Sequence, residues 1–157
     1  MRADDYLMAV RNRGILIDKL MKDKESLYTQ YGSIKAVDYS KDKVDGSHTE
    51  DLSGLVEQIE EARNRLNVRI TKEMLVFEKE KLLAVSMILS IGNCGGKTAN
   101  VQRVLLDYYV HHVDYKDIAG QMGYSKRSVE RLSRQGVREI QVIIDSSKLN
   151  SLEKIFT

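Results

Sequence analysis

The 157-residue chain contains no proline, and this absence constrains its fold more than any other single feature of the sequence. Proline is the residue that most often ends or kinks a helix, so a chain without it can form long, uninterrupted helices. Strict alternation of apolar and polar residues, the pattern of a half-buried strand, is scarce. The sequence therefore predicts an all-α protein.

Apolar and aromatic residues near the N-terminus recur at spacings of three and four, the period of an amphipathic helix with a coiled-coil-like seam. The seam positions are Leu7, Val10, Gly14, Ile17, Met21, Lys24, Tyr28 and Tyr31. We expect this helix to end at Gly32, because the stretch 32–50 is polar and has no sustained period.

The same spacing returns in a second segment, which starts near Asp51 and runs towards Ile91. Its apolar positions are Leu52, Leu55, Ile59, Ala62, Leu66, Ile70, Met74 and Phe77. A helix of about 40 residues is too long for a compact core of this size to bury, so it must pack against another helix. Residues 1–91 are therefore predicted to form a helical hairpin, or stalk, with a polar loop at 32–50. A homodimer formed along the seam of these N-terminal helices is the alternative that stays open.

The stretch "SIGNCGGKT", residues 90–98, ends like a nucleotide-binding P-loop. A P-loop needs a glycine five positions before Gly96, and Ile91 occupies that position. The residues before it continue a helical pattern, whereas a P-loop follows a buried strand. We interpret the glycines as the end of the long helix, since glycine adopts the left-handed conformation easily, and Thr98 as the N-cap of the next helix.

Residues 97–147 have the spacing of a helix-turn-helix domain built from three helices. The first spans about 99–111, the second is short and N-capped by Asp114, and the third opens at Ser125. Ala119 supplies the small residue at the helix crossing, Gly123 the left-handed turn four residues later, and Val129 the apolar contact six beyond that. Further apolar contacts come from Ile118, Met122 and Leu132.

Positive charge is concentrated in the third of these helices. Residues 126–138 hold five cations against Glu130 alone, whereas the whole chain has a net charge of only +2. A basic helix after such a turn typically enters the major groove of DNA. The predicted DNA contacts are Ser125, Lys126, Arg127, Ser128, Arg131, Arg134 and Arg138, together with Lys116 on a backbone phosphate. The alternative is a solvated basic helix in an ordinary three-helix core.

The segment "VLLDYYVHHVDYKDIAGQMGYSKRSVERLSRQGVREI" resembles region 4 of bacterial sigma factors, the module that reads the −35 promoter element. The chain as a whole, with its helical N-terminus, the "GSIKAVDYS" loop and "DIAGQMGYSKRSVERL", is similar to late-gene transcriptional regulators of the ArpU and RinA type from phages and prophages of Gram-positive hosts. The sigma resemblance stops with the last third, because nothing resembles the regions that melt promoters or grip the polymerase core. The resemblance implies a phage-encoded activator that binds promoter DNA and acts with host RNA polymerase.

Other chemistry finds little support in the sequence. The single cysteine excludes an internal disulfide, no stretch is long and apolar enough to span a membrane, and the N-terminus is too charged for a signal peptide, so we expect an intracellular protein. The resemblance to phage regulators implies the cytoplasm of the bacterial host. His111 and His112 are adjacent and point about 100° apart on a helix, so they do not converge on a metal with Asp114 or Cys94, and we expect both to be solvated at the helix end. No catalytic motif is present, and we expect neither an enzyme nor a cofactor.

Two further functions stay open. A small terminase subunit also places helix-turn-helix modules beside coiled helices, but forms rings on packaging sites, so the mass of the assembly separates it from a regulator. A protein-interaction module would use the basic helix on an acidic partner such as polymerase, and the salt dependence of DNA binding separates this possibility. The segment "IQVIIDSSKLNSLEKIF", residues 140–156, is predicted to continue the third helix of the domain, and residues 148–157 form the C-terminal tail.

Overall fold

The computed structural model describes the backbone of residues 2–38, 49–92 and 94–153, and the side chains of 2–33, 54–92 and 94–147. These residues form five α-helices and one π-helical turn, with no strand among them, which confirms the all-α prediction. The elements are α1 (Ala3–Asp38), α2 (Thr49–Leu89), α3 (Thr98–Leu105), the π-helical turn (Leu106–Val110), α4 (Tyr115–Met122) and α5 (Lys126–Glu153). Helix α5 thus extends into the predicted tail 148–157.

Helix α1 continues through Gly32, so the predicted helix end at this glycine is wrong. One glycine inside a helix costs only about 1 kcal/mol relative to alanine, which neighbouring turns can offset. The hydroxyl of Ser33 donates to the carbonyl of Gln30 at 2.9 Å, so this polar side chain is accommodated within the helix. Helix α2 already begins at Thr49. The remainder of the predicted loop, 39–48, lies outside the described residues.

Helix α2 ends at Leu89, before any glycine of the segment 90–98, so the predicted glycine C-cap of the long helix is wrong. The left-handed residues are Gly95 at φ 54° and Gly96 at φ 72°, which lie in the turn that leads to α3. The predicted cap of the next helix is wrong by one position. Lys97 occupies the N-cap and Thr98 is the first residue of α3. The Thr98 hydroxyl instead accepts a hydrogen bond from the Cys94 amide at 3.3 Å, which closes the turn.

The chain divides into two compact units: Met1–Ile15 with Phe77–Thr157 form unit 1, and Leu16–Val76 form unit 2. The sequence predicted a boundary between 91 and 97, whereas the units divide α1 and α2 between them. The difference arises because the start of α1 and the end of α2 contribute to the same hydrophobic core as α3, α4 and α5. The buried residues of this core include Leu7, Val10, Ala84, Ile88, Val101, Val104, Leu105, Ile118, Val129 and Ile140.

The two ends of unit 1 are also joined by polar contacts. The Ala3 amide donates to the side-chain carbonyl of Gln141 at 2.7 Å. The Tyr109 hydroxyl donates to the carboxylate of Asp4 at 3.3 Å. The first turn of α1 is therefore part of the domain that contains α5, a long-range arrangement that the helical periodicity of α1 did not indicate.

Helix α5 packs against both α3 and α4 in unit 1. Gly136 is buried where α5 crosses α3, and a Cβ at this position would lie 2.5 Å from Leu105 Cδ1 and 2.7 Å from Val101 Cγ1. The absence of a side chain on Gly136 is what allows the two helices to come this close.

In unit 2, α1 and α2 run antiparallel. The hydroxyl of Tyr31 donates to the Glu60 carboxylate at 3.3 Å, and the Arg63 guanidinium lies 4.4 Å from the ring centre of Tyr28. The seam predicted from the apolar spacing is only partly buried. Its buried positions in this unit are Ile17, Ile59 and Ile70, whereas Met21, Tyr28, Leu55 and Met74 are exposed. Within the described part of the chain, no helix is both long enough and apolar enough to cross a bilayer.

Candidate nucleic-acid interface

Helices α4 and α5 are joined by a tight turn at residues 123–125. Gly123 has φ 68° and ψ 28°, the left-handed conformation that the sequence predicted, and the Tyr124 amide donates to the Ala119 carbonyl at 3.0 Å. Ala119 and Val129 are both buried. The predicted roles of the small residue, the glycine and the apolar residue are therefore seen in the structure, where these residues position α5 across α4.

Ser125 caps α5, as predicted. Its hydroxyl oxygen accepts a hydrogen bond from the Ser128 amide at 3.2 Å, and the two hydroxyl oxygens lie 2.9 Å apart. Asp114 holds the N-cap position of α4 with an extended backbone, but its carboxylate makes no capping bond there. Both predicted helix starts are thus correct in position, and Ser125 alone caps through its side chain.

Aromatic packing fixes α4 relative to the neighbouring helices. The ring of Tyr115 stacks on that of Tyr108 at 3.9 Å, and its hydroxyl shares a hydrogen bond of 2.9 Å with Ser133, a buried serine of α5. Tyr109 is also buried. Tyr109 is therefore part of the domain core, and Tyr108 packs against it.

Four arginines of α5 form a continuous row on its solvent face, which we call the arginine stripe: Arg127, Arg131, Arg134 and Arg138. All four are exposed. Their spacings of four, three and four keep them within about 60° of one another around the helix over a length of about 16 Å. The buried face of α5, formed by Val129, Leu132, Gly136 and Ile140, lies on the opposite side.

Five of the eight predicted contact residues line one shallow, open depression of about 300 Å³ at the start of α5. These are Ser125, Arg127, Ser128, Arg131 and Arg134. Lys126, Lys116 and Arg138 are exposed but do not line it. Lys116 lies in the first turn of α4, where a cation on the surface can reach a phosphate next to the groove.

Glu130 divides the cations of this surface into two groups. Its carboxylate lies 3.6 Å from Lys126 Nζ and 3.7 Å from a guanidinium nitrogen of Arg134. Arg127 and Arg131 make no ion pair with any residue in the described ranges. These two arginines can therefore bind an external anion without breaking an internal pair.

One polar contact beside this surface has no counterpart among the contacts expected from the sequence. The side-chain amide of Asn100 on α3 donates to the Tyr124 hydroxyl oxygen at 3.2 Å, and Tyr124 is 43% exposed. No local spacing could have joined two residues that lie 24 positions apart on different elements.

The two histidines before α4 differ in their surroundings. His111 is exposed and lies 3.3 Å from the Asp107 carboxylate, as expected for a solvated helix end. The same expectation is wrong for His112, which has φ 61° and whose ring lies directly against the backbone of Gly14. Among the described residues, no group of three His, Cys, Asp or Glu side chains is placed to hold a metal ion.

Cys94 is 4% exposed. Its burial, together with the nearby Glu139 carboxylate, raises the pKa of the thiol. A buried thiol kept in its protonated form is a poor nucleophile, so Cys94 has the surroundings of a structural residue and not of a reactive one.

The arginine stripe and the turn before it form the candidate interface of unit 1. Comparison of the chain with protein-family models, with curated proteins and with solved structures finds no match.

Proposed function

We propose that this protein is a sequence-specific, DNA-binding transcriptional regulator in which α4, the turn and α5 act as a helix-turn-helix similar to sigma factor region 4. One observation carries the proposal. The arginine stripe lies opposite the buried face of α5 and begins two residues after the Ser125 cap, so the exposed face that would enter a groove is the basic one.

The chemistry of the surface fits a duplex. The major groove, about 12 Å wide, admits one α-helix, and arginine reads guanine through two parallel hydrogen bonds. Arg127 and Arg131, which lack an internal ion pair within the described residues, are the proposed base-reading residues. Arg134, Arg138 and Lys116 are placed to contact phosphates on either side. Ser125 and Ser128, at the start of the helix, are further proposed DNA contacts.

The wider proposal follows the resemblance to phage late-gene regulators of the ArpU and RinA type. The protein would activate late genes in the cytoplasm of its bacterial host, with host RNA polymerase as a partner and without enzymatic activity. The antiparallel segments of unit 2 would form a helical hairpin through which two copies associate. An open groove of about 800 Å³ in unit 2, with Met21, Tyr28, Ile70 and Met74 among its lining residues, supports this association. A homodimer would present two recognition helices to two half-sites.

The experiment that tests the proposal is selection of bound fragments from sheared genomic DNA of the source organism at about 0.15 M salt, where weak phosphate contacts are screened. Enrichment of one short site upstream of an operon would support a regulator. The double variant Arg127→Ala/Arg131→Ala should lose this enrichment, whereas the control Arg69→Ala, which removes an exposed arginine of α2, should retain it. Equal enrichment by all three proteins would overturn the assignment of α5 as the recognition helix.

The mass of the protein in solution tests the assembly. A dimer supports the proposed regulator. A closed ring of many subunits, together with enrichment near terminase genes, would assign the protein to DNA packaging instead.

A further inference from the structure

Glu130 occupies an unexpected place for an acidic residue. It is the only carboxylate among residues 126–138, and it lies about 60° around the helix from Arg127, at the edge of the arginine stripe. Its side chain is 31% exposed, so the carboxylate is held partly against the surface. An acidic group here repels the phosphates of any duplex that α5 approaches.

The same carboxylate restrains two of the five cations. Lys126 and Arg134 stand one helical turn before and after Glu130, at 3.6 Å and 3.7 Å, with side chains 64% and 71% exposed. Pairs at this spacing on an exposed helix are weak, and they compete directly with phosphate for the same cations. Glu130 therefore lowers the number of cations that are available for sequence-independent contacts with the DNA backbone.

We propose that Glu130 is a specificity-determining residue of the interface. It weakens binding to random duplex more than binding to the cognate site, because only a site that presents a hydrogen-bond donor in the groove compensates for the loss of water around the carboxylate when the duplex covers it. The donor of the right chemistry is the exocyclic amine of cytosine, which pairs with glutamate in the major groove. This inference rests on the proposed function.

The test compares Glu130→Gln with Glu139→Gln, which makes the same change in charge on α5 about 180° away from Glu130. The probes are the fragment enriched by the wild-type protein and a random duplex of the same length. For Glu130→Gln, affinity for the random duplex should rise roughly threefold to tenfold at about 0.1 M salt, and the log–log salt slope should steepen by about one. The ratio of cognate to random affinity should fall by at least about threefold.

A second arm replaces each C·G pair of the enriched site by T·A in turn. The wild-type protein should lose affinity sharply at one such pair, and Glu130→Gln should be nearly indifferent to that pair. Thermal unfolding verifies that both variants fold. We expect Glu130→Gln to fold, because Glu130 is partly exposed and lies outside the buried face of α5.

The outcomes separate the two proposals. If both glutamine variants raise both affinities equally and the ratio stays constant, Glu130 acts only through the net charge and the inference is overturned, while the regulator proposal stands. If the wild-type protein selects no fragment, the proposed function fails and the inference fails with it.

Discussion

The guanidinium of Arg11 on α1 stands over the ring of Tyr108, 4.1 Å from its centre, and donates to the carbonyl of that same residue. It also contacts the Asp114 carboxylate at 2.7 Å, just before α4. The Arg11 side chain is 9% exposed, so one nearly buried cation ties α1 to the π-helical turn and to the start of α4. Cation–π and charged hydrogen bonds of this kind gain strength when they are shielded from water.

We expect Arg11→Met to lower the free energy of unfolding by about 2–3 kcal/mol, because the Tyr108 carbonyl loses its charged donor while the aliphatic contact is retained. Urea unfolding measures the loss. The control Asp114→Asn should cost less than about 1 kcal/mol, since the Asp114 side chain is 75% exposed. Equal losses for the two variants would show that the ion pair, and not the contacts with Tyr108, holds the element.

Gly136 and Gly120 offer a matched pair of alanine substitutions. Gly136→Ala should destabilise the protein by about 1–3 kcal/mol, because its Cβ would overlap Leu105 and Val101. Gly120 lies in α4 with open space around its Cα, so Gly120→Ala should stabilise by about 0.5–1 kcal/mol. Thermal unfolding of both variants provides the comparison. A Gly136→Ala protein as stable as the wild type would contradict the close approach of α3 and α5.

The arginine stripe predicts a graded response of DNA affinity. Arg131→Ala should lose about 1–3 kcal/mol of binding free energy at a guanine-containing site, and Arg134→Ala should lose less, because Arg134 must first leave Glu130. With the three proposed phosphate contacts of Lys116, Arg134 and Arg138, the log–log salt slope should be on the order of −3 per subunit. Fluorescence anisotropy across a salt series measures both quantities. Normal binding by both variants, with unchanged melting temperatures, would remove α5 from the interface.

Unit 1 should lose stability in alkali. Burial raises the pKa of Tyr109 and Tyr115, and burial with a contribution from Glu139 raises that of Cys94. These groups are neutral in the folded state, so their contribution is fully present below the ordinary values of 9.0 for cysteine and 10.0 for tyrosine, and is lost as pH rises through the folded pKa values. The free energy of unfolding in urea should be level between about pH 7 and 8 and fall above about pH 9. A level profile up to pH 10.5 would contradict the burial of these groups.

The local part of the candidate site could be predicted from the sequence. The conformation of Gly123, the cap at Ser125 and the burial of Ala119 and Val129 all depend on residues within about ten positions of one another. Spacing in the sequence then translates directly into geometry, because a short helix and a tight turn have few alternatives.

The long-range contacts could not be predicted in this way. The apolar period of α1 correctly indicated a helix, but it could not show that Leu7 and Val10 join the core of α3 to α5 and that Ile17 belongs to another unit. The continuation of α1 through Gly32 has no signal in the sequence, because the residues that follow this glycine are polar and lack an apolar period. The crossing at Gly136 has no local signal either, since its partners lie on α3.

The hydrogen bond between Ala3 and Gln141 spans 138 positions of the chain. A ribosome that adds about 5–20 residues per second needs roughly 7 to 28 s to make that length, and during this time the apolar start of α1 has no partner from unit 1's C-terminal helices. Unit 1 therefore closes only when the last of its helices has left the ribosome. The start of α1 must therefore wait for Gln141 to be synthesised before it can form this contact, although α1 is the first helix of the structure to be made.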